Sequence, residues 1–229
     1  GVWFFCDLLI EMSRPCVLLI DAGLGNVGSV RAAFQRQDCD VVCSIHPPSE
    51  EQFSSFSHAV LPGVGSFAAG RKALSINGWD RWLCEHWAPS KQPLLGICLG
   101  MQLLASDGVE GVAANAVATP GLGLVPGTVR LLTVDPGLVL PHVGWNEVQW
   151  HSGAEPLAKG LPQAGDFYFV HSYAFKVLDP VDALATSNYG EAFTSVVGRE
   201  GCFGMQFHPE KSQKLGRKLL SNFLDLTNA

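Results

Sequence analysis

Pro93-Leu-Leu-Gly-Ile-Cys98-Leu-Gly-Met-Gln102 is the stretch on which the fold turns. An apolar strand runs into Gly96-Ile97-Cys98-Leu99-Gly100, and a helix opens at Leu99. So tight a strand-to-helix turn leaves no room for β-carbons at its flanks, which accounts for the two glycines. Such an elbow holds its central residue in a strained conformation and exposes the side chain. With cysteine at the centre, the helix N-terminus favours the thiolate, and the Leu99 N–H points at any oxyanion that develops there. The plainer alternative is a buried thiol that happens to have glycine neighbours.

Working outward, the elbow lies within strand–helix alternation. Val17–Ile20, Val41–Ile45, Ala59–Leu61 and Leu94–Ile97 read as strands, with helical stretches over Ser29–Gln37 and Ala68–Trp87 between them. That order predicts a parallel sheet with helices on both faces. Beyond Gly121 short β-rich runs follow one another: Gly127–Val134, Trp145–Trp150, Phe167–Ala174, Ala183–Thr186, Ala192–Val197 and Cys202–Gln206. They suggest an antiparallel extension of the same sheet. Leu215, Leu219, Leu220 and Phe223 fall at helical spacing in a closing helix over residues 211–226. The expected fold is therefore α/β, with a mixed, mostly parallel central sheet and an antiparallel β extension in the C-terminal half.

The chain of 229 residues suits one domain, read here as residues 13–229. Residues 1–12 read as an appendage of doubtful origin; the segment Gly1–Ile10 is apolar but lacks a basic region and a cleavage site, and it is too short to span a bilayer. With 47% hydrophobic and 16% charged residues, the composition excludes a disordered chain. A net charge of −6 without a lysine- or arginine-rich stretch argues against nucleic acid as a partner. The 7 cysteines are scattered and odd in number, a poor disulfide framework that fits a reducing cytoplasm. Cys39 and Cys43 find no second pair to complete a metal site, so no metal and no cofactor is expected.

A cysteine nucleophile needs a base, and the base needs an orienting group. Of the histidines, His208 stands out because it leaves a strand as Gln206-Phe207-His208-Pro209-Glu210. In extended backbone, residues two apart point the same way, and Pro209 favours that conformation, so Glu210 can sit beside the imidazole. Taken alone, His-Pro-Glu would more often be a solvated strand end.

Together, the Cys98 elbow and His208-Pro-Glu210 resemble the class I (triad) glutamine amidotransferases. Within that group the chain is most similar to the family of glutaminase subunits of imidazole glycerol phosphate synthase, from histidine biosynthesis. The similarity rests on Ile20-Asp-Ala-Gly-Leu-Gly-Asn26, Leu61-Pro-Gly-Val-Gly-Ser-Phe67, Pro141-His-Val-Gly-Trp-Asn146, Tyr168-Phe-Val-His-Ser-Tyr173 and Gly204-Met-Gln-Phe-His-Pro-Glu-Lys-Ser212, besides the elbow.

The resemblance implies that Cys98 attacks the glutamine amide, that His208 relays protons and that Glu210 orients it. It implies an oxyanion hole from Leu99 and from Val64 or Gly65, and a substrate cradle from Gln102, Glu110, Ser172 and Tyr173. Ammonia would pass to a separate (β/α)₈-barrel cyclase subunit, with Asn26, His142, Trp145, Asn146, Tyr168 and Lys211 at the interface. Two positions depart from the pattern: Ala22 stands where a larger residue is usual, and the segment around Glu110 is less acidic.

A rival reading comes from Gly23-Leu-Gly25-Asn-Val-Gly28, which matches the dinucleotide-binding fingerprint. The fingerprint also wants an acidic residue ending the second strand, where this chain has His46 and Pro47. Asp21 would in addition repel a pyrophosphate.

Overall fold

In a computed structural model, residues 14–25, 27–113 and 116–227 are described. The appendage over residues 1–12 and the candidate interface residue Asn26 lie outside them. The four apolar runs of the first half become β1 (Cys16–Ile20), β2 (Asp40–Ser44), β3 (His58–Gly63) and β4 (Leu94–Cys98). A two-residue pair, β5 (Asp107–Gly108) and β6 (Thr119–Pro120), follows. The second half supplies β7 (Gly127–Leu131), β8 (His142–Trp150), β9 (Ala164–His171), β10 (Tyr173–Val177), β11 (Ala183–Tyr189), β12 (Glu191–Arg199) and β13 (Cys202–Met205).

All of these strands belong to one sheet, in which β2-β1-β3-β4-β13 run parallel and β13-β12-β10-β7 run antiparallel. A hairpin of β8 and β9 hangs from β11 at the side. The nucleophile strand β4 is buried along its whole length between β3 and β13, as a parallel central strand should be. Alternate residues of β1 feed opposite cores: Val17 and Leu19 join the closing helix Gln213–Leu224, whereas Leu18 and Ile20 face the tryptophan-rich layer. In that closing helix Leu219, Leu220 and Phe223 are fully buried, and Phe223 meets Phe34 edge-on at 6.3 Å.

Three expectations need correction. The helix expected over Ala68–Trp87 is broken: Phe67–Ile76 ends at Asn77-Gly78, where Gly78 adopts φ 77°, and a new turn begins at Trp79. The break packs Trp79, Trp82 and Trp87 against one another and Phe53, which one straight cylinder could not do. The strand expected over Phe167–Ala174 is two strands, because at Ser172 the chain leaves β8 and takes β7 as its partner. The segment after Met205 is not extended throughout: Pro209–Lys211 forms a 3₁₀ turn, and it is this turn that brings Glu210 back to His208.

Candidate active site

Cys98 ends β4 with φ 54° and ψ −110°, a conformation that a residue with a β-carbon adopts only under constraint. The constraint is visible in its neighbours. A β-carbon on Gly100 would overlap the Leu61 carbonyl oxygen, and one on Gly96 would lie 2.6 Å from the Gly100 backbone. The helix Leu99–Leu103 can therefore start immediately behind the sulfur.

Three groups surround that sulfur. The thiol reaches the Val170 carbonyl at 3.7 Å, the Gln206 side-chain amide donates to it at 3.8 Å, and His208 hydrogen-bonds with it. On the other ring nitrogen, Nδ1 of His208 sits 2.8 Å from Oε1 of Glu210, whose side chain is fully buried. Burial alone would lower the His208 pKa; the hydrogen bonds and charges of Cys98 and Glu210 outweigh it and push the pKa up to about 9. His208 is thus protonated at neutral pH and sits as an imidazolium beside the Cys98 sulfur. Elsewhere in the core, burial pushes the Cys39 thiol up to about 11 and that of Cys202 up to about 12.

A cavity of about 410 Å³ opens in front of Cys98. Val64, Gly65, Leu99, Gln102, Glu110, Ser172, Tyr173, His208 and Lys211 all line it, so the sequence candidates for the oxyanion hole and the substrate cradle converge on one space. Their local bonds add detail. The Val64 N–H donates to the Leu24 carbonyl at 2.9 Å and is therefore already engaged. Gly65 has φ 109°, in the region that favours glycine. Glu110 accepts from the Phe67 N–H at 3.2 Å at the start of the helix Phe67–Ile76, and burial raises its pKa while that bond lowers it.

The fingerprint glycines have a different use from phosphate binding. Gly25 lies so close to Val64 that a β-carbon there would approach its Cγ2 to 3.0 Å. Loop 23–25 buttresses the Pro62–Gly65 turn.

The interface candidates divide between two faces of the β8–β9 hairpin. Trp145 pairs with Tyr168 across the ladder on the outer face, their rings 6.0 Å apart, and the Lys211 ammonium lies 5.8 Å from the Tyr168 ring. His142 and Asn146 lie on the other face, within a hydrogen-bonded chain. In that chain the Tyr173 carbonyl takes the Nδ1 proton of His171 at 2.9 Å. Nε2 of His171 must then accept from Nδ1 of His142 at 3.0 Å, and Asn146 donates to Nε2 of His142 and to the Asn188 carbonyl. His171, which sequence reasoning passed over, is thus the link between this chain and the cavity wall. Its signal lay in the alternation of Phe169 and His171 on the buried side of β9.

Burial, with His142 and His208 nearby, lowers the His171 pKa to about 3, against the Tyr173 bond that would raise it. Unfolded histidine protonates near 6.5, so the stability tied to neutral His171 is whole above that pH and is lost as pH falls toward 3. Denaturant midpoints measured from neutral to about pH 5 should fall less steeply for His171→Gln than for the parent chain. Parallel declines would contradict this assignment.

Among the described residues no group of three or more His, Cys, Asp or Glu could hold a metal ion, and no helix is long and apolar enough to cross a membrane.

Comparison with known proteins places this geometry. The glutamine amidotransferase class-I family matches residues 18–226. Imidazole glycerol phosphate synthase subunit HisH 1 of Prochlorococcus marinus is 51% identical, covering 92% of this chain and 97% of its own. The HisH subunit of Rhodospirillum rubrum is 42% identical over 91% and 97%. A glutamine amidotransferase from Thermotoga maritima superposes with a TM-score of 0.61 at 19% identity, over 93% of this chain and 83% of its own. The PurLQS structure from the same organism gives 0.64 at 15% identity, over 93% and 98%. At such identities the two structures speak for the fold alone.

Proposed function

The chain belongs to the class-I glutamine amidotransferase family, and we propose that it is the glutaminase subunit of an imidazole glycerol phosphate synthase. The observation that carries the reading is Cys98, strained at its elbow and hydrogen-bonded to a Glu210-oriented His208 at the floor of the cavity.

The sulfur attacks the side-chain amide carbon of glutamine, and the carbonyl oxygen takes up negative charge against the Leu99 N–H at the helix start. His208, already protonated, gives its proton to the departing nitrogen, so ammonia leaves and a γ-glutamyl thioester remains on Cys98. Neutral His208 then takes a proton from water, which attacks the thioester and releases glutamate and the thiolate. Glu210 holds the ring and balances the imidazolium in both steps. Gln102, Glu110, Ser172 and Tyr173 supply polar groups around the amino-acid end of the substrate. No cofactor enters this chemistry.

The ammonia passes to a partner, the cyclase, whose (β/α)₈ barrel builds imidazole glycerol phosphate and an aminoimidazole carboxamide ribonucleotide. The outer face of the β8–β9 hairpin supports this docking site: Val143, Trp145 and Val170 leave large apolar side chains exposed beside the cavity mouth, with Lys211 next to them. A cytoplasmic setting follows from a histidine-biosynthetic role.

With the Val64 amide turned to Leu24, one oxyanion donor is withheld in the chain alone. Binding of the loaded partner turns the Pro62–Gly65 turn and supplies it. Co-purification with the cognate cyclase should therefore give glutamine-dependent cyclisation, and the loaded partner should raise glutamine hydrolysis by ~10²-fold or more, the usual worth of one oxyanion donor. Full turnover by the chain alone would contradict the withheld donor. A pure complex that cyclises only with added ammonia would contradict the assignment of the chain.

A further inference from the structure

Gln206 is fully buried at the end of β13, one residue before Phe207-His208, and the mechanism above gives it no task. Its surroundings fix which way its amide points. The Tyr173 carbonyl can only accept, so the Gln102 side chain, 4% exposed, must turn its NH₂ toward it at 3.0 Å. The second proton of that same nitrogen goes to Oε1 of Gln206 at 2.9 Å. With its oxygen taken, Gln206 presents its own NH₂ to the Cys98 sulfur at 3.8 Å. The Gln206 backbone N–H is held by the Ser195 carbonyl at 2.9 Å, so the strand end cannot drift.

We propose that Gln206 stabilises the Cys98 thiolate through this N–H···S contact, and that Gln102 acts as a positioning residue that fixes the orientation of the Gln206 amide. The inference rests on Cys98 being the nucleophile. Its chemical sense comes from comparison with His208. The histidine loses its proton to ammonia during the reaction, whereas an amide N–H does not titrate. Gln206 therefore faces the sulfur with the same donor when the thiolate attacks and when it leaves the thioester. A neutral donor also does this without placing a second buried charge beside the imidazolium.

The test is the pH dependence of Cys98 alkylation by iodoacetamide, read on the Cys98 peptide by mass spectrometry so that the other cysteines do not interfere. Gln206→Met keeps volume and removes the donor. Hydrogen bonds to charged groups suggest that the midpoint rises by about one pH unit. In complex with the cyclase, kcat for glutamine should fall about 10-fold with KM changed by less than about twofold. Gln102→Met should move the midpoint the same way by less, because Gln206 keeps its amide but loses its orientation.

A Gln206→Met protein that folds with an unmoved midpoint overturns the proposal; it would leave Gln206 a packing residue that changes the melting temperature alone. Should that variant not fold, the parent chain decides. The Gln206 side-chain amide resonance must shift with Cys98 titration and respond to alkylation, and insensitivity overturns the proposal. Failure of the reading beneath it looks different: alkylation of Cys98 in the parent chain would then leave glutamine hydrolysis intact.

Discussion

Replacing Cys98 with alanine is expected to lower glutamine-dependent synthesis by the complex ~10⁴-fold or more, while synthesis from added ammonia continues. The size follows from losing the thioester route altogether, since no neighbouring group can substitute for the sulfur at the elbow. His208 and Glu210 would remain hydrogen-bonded to each other but have nothing to activate. Ammonia-dependent synthesis survives because the acceptor chemistry is on the cyclase, and alanine fits wherever cysteine does. Docking should persist too, because Cys98 is buried and is not among the exposed hairpin residues Val143, Trp145 and Val170. Loss of both activities together would point to misfolding or failed assembly, which gel filtration of the complex distinguishes. Retained glutaminase activity would contradict the mechanism.

The second large effect is expected at Glu210. Its buried carboxylate is one of the groups that raise His208 to about 9 against burial, so Glu210→Gln removes both a charge and an acceptor from Nδ1. The histidine pKa should fall. In the parent complex, activity should decline on the alkaline side as His208 loses its proton near pH 9. In Glu210→Gln that limb should move to lower pH, and kcat at neutral pH should drop by ~10²-fold or more. Stability follows the same sign: what protonated His208 contributes is complete below pH 6.5 and is lost as pH rises through about 9. An alkaline limb that stays in place in the variant would show that Glu210 does not govern His208.

The elbow was the most legible part of the chain, because steric demands left so few residue choices there. Gly96 and Gly100 sit where a β-carbon would strike the Gly100 backbone or the Leu61 carbonyl, and a pattern so constrained reads directly from sequence. The parallel strands were legible for a similar reason, since burial on both faces demands unbroken apolar runs such as Leu94–Ile97. Less legible was anything decided by partners distant in sequence. The exchange of ladder partner at Ser172 depends on β7, about forty residues upstream, and local propensity carries no trace of it. His208 and Glu210 were paired correctly for an incomplete reason: alternation in an extended strand suggested it, but the 3₁₀ turn Pro209–Lys211 achieves it. The glycines at 23 and 25 matched a nucleotide fingerprint, yet the close approach at Gly25 is to Val64. A glycine records that space is tight without recording what fills it. His171 and Gln206 were missed because each matters only through a hydrogen-bonded chain whose members lie 29 and 104 residues apart in sequence.

The central claim is that Cys98 becomes covalently acylated by glutamine. A diazoketone analogue of glutamine tests it most directly, because the sulfur displaces nitrogen from the protonated analogue and leaves a stable thioether. The complex should be inactivated in step with labelling of the Cys98 peptide, seen by mass spectrometry, and excess glutamine should slow both. Inactivation with the label on another residue, or with Cys98 unmodified, would contradict the account.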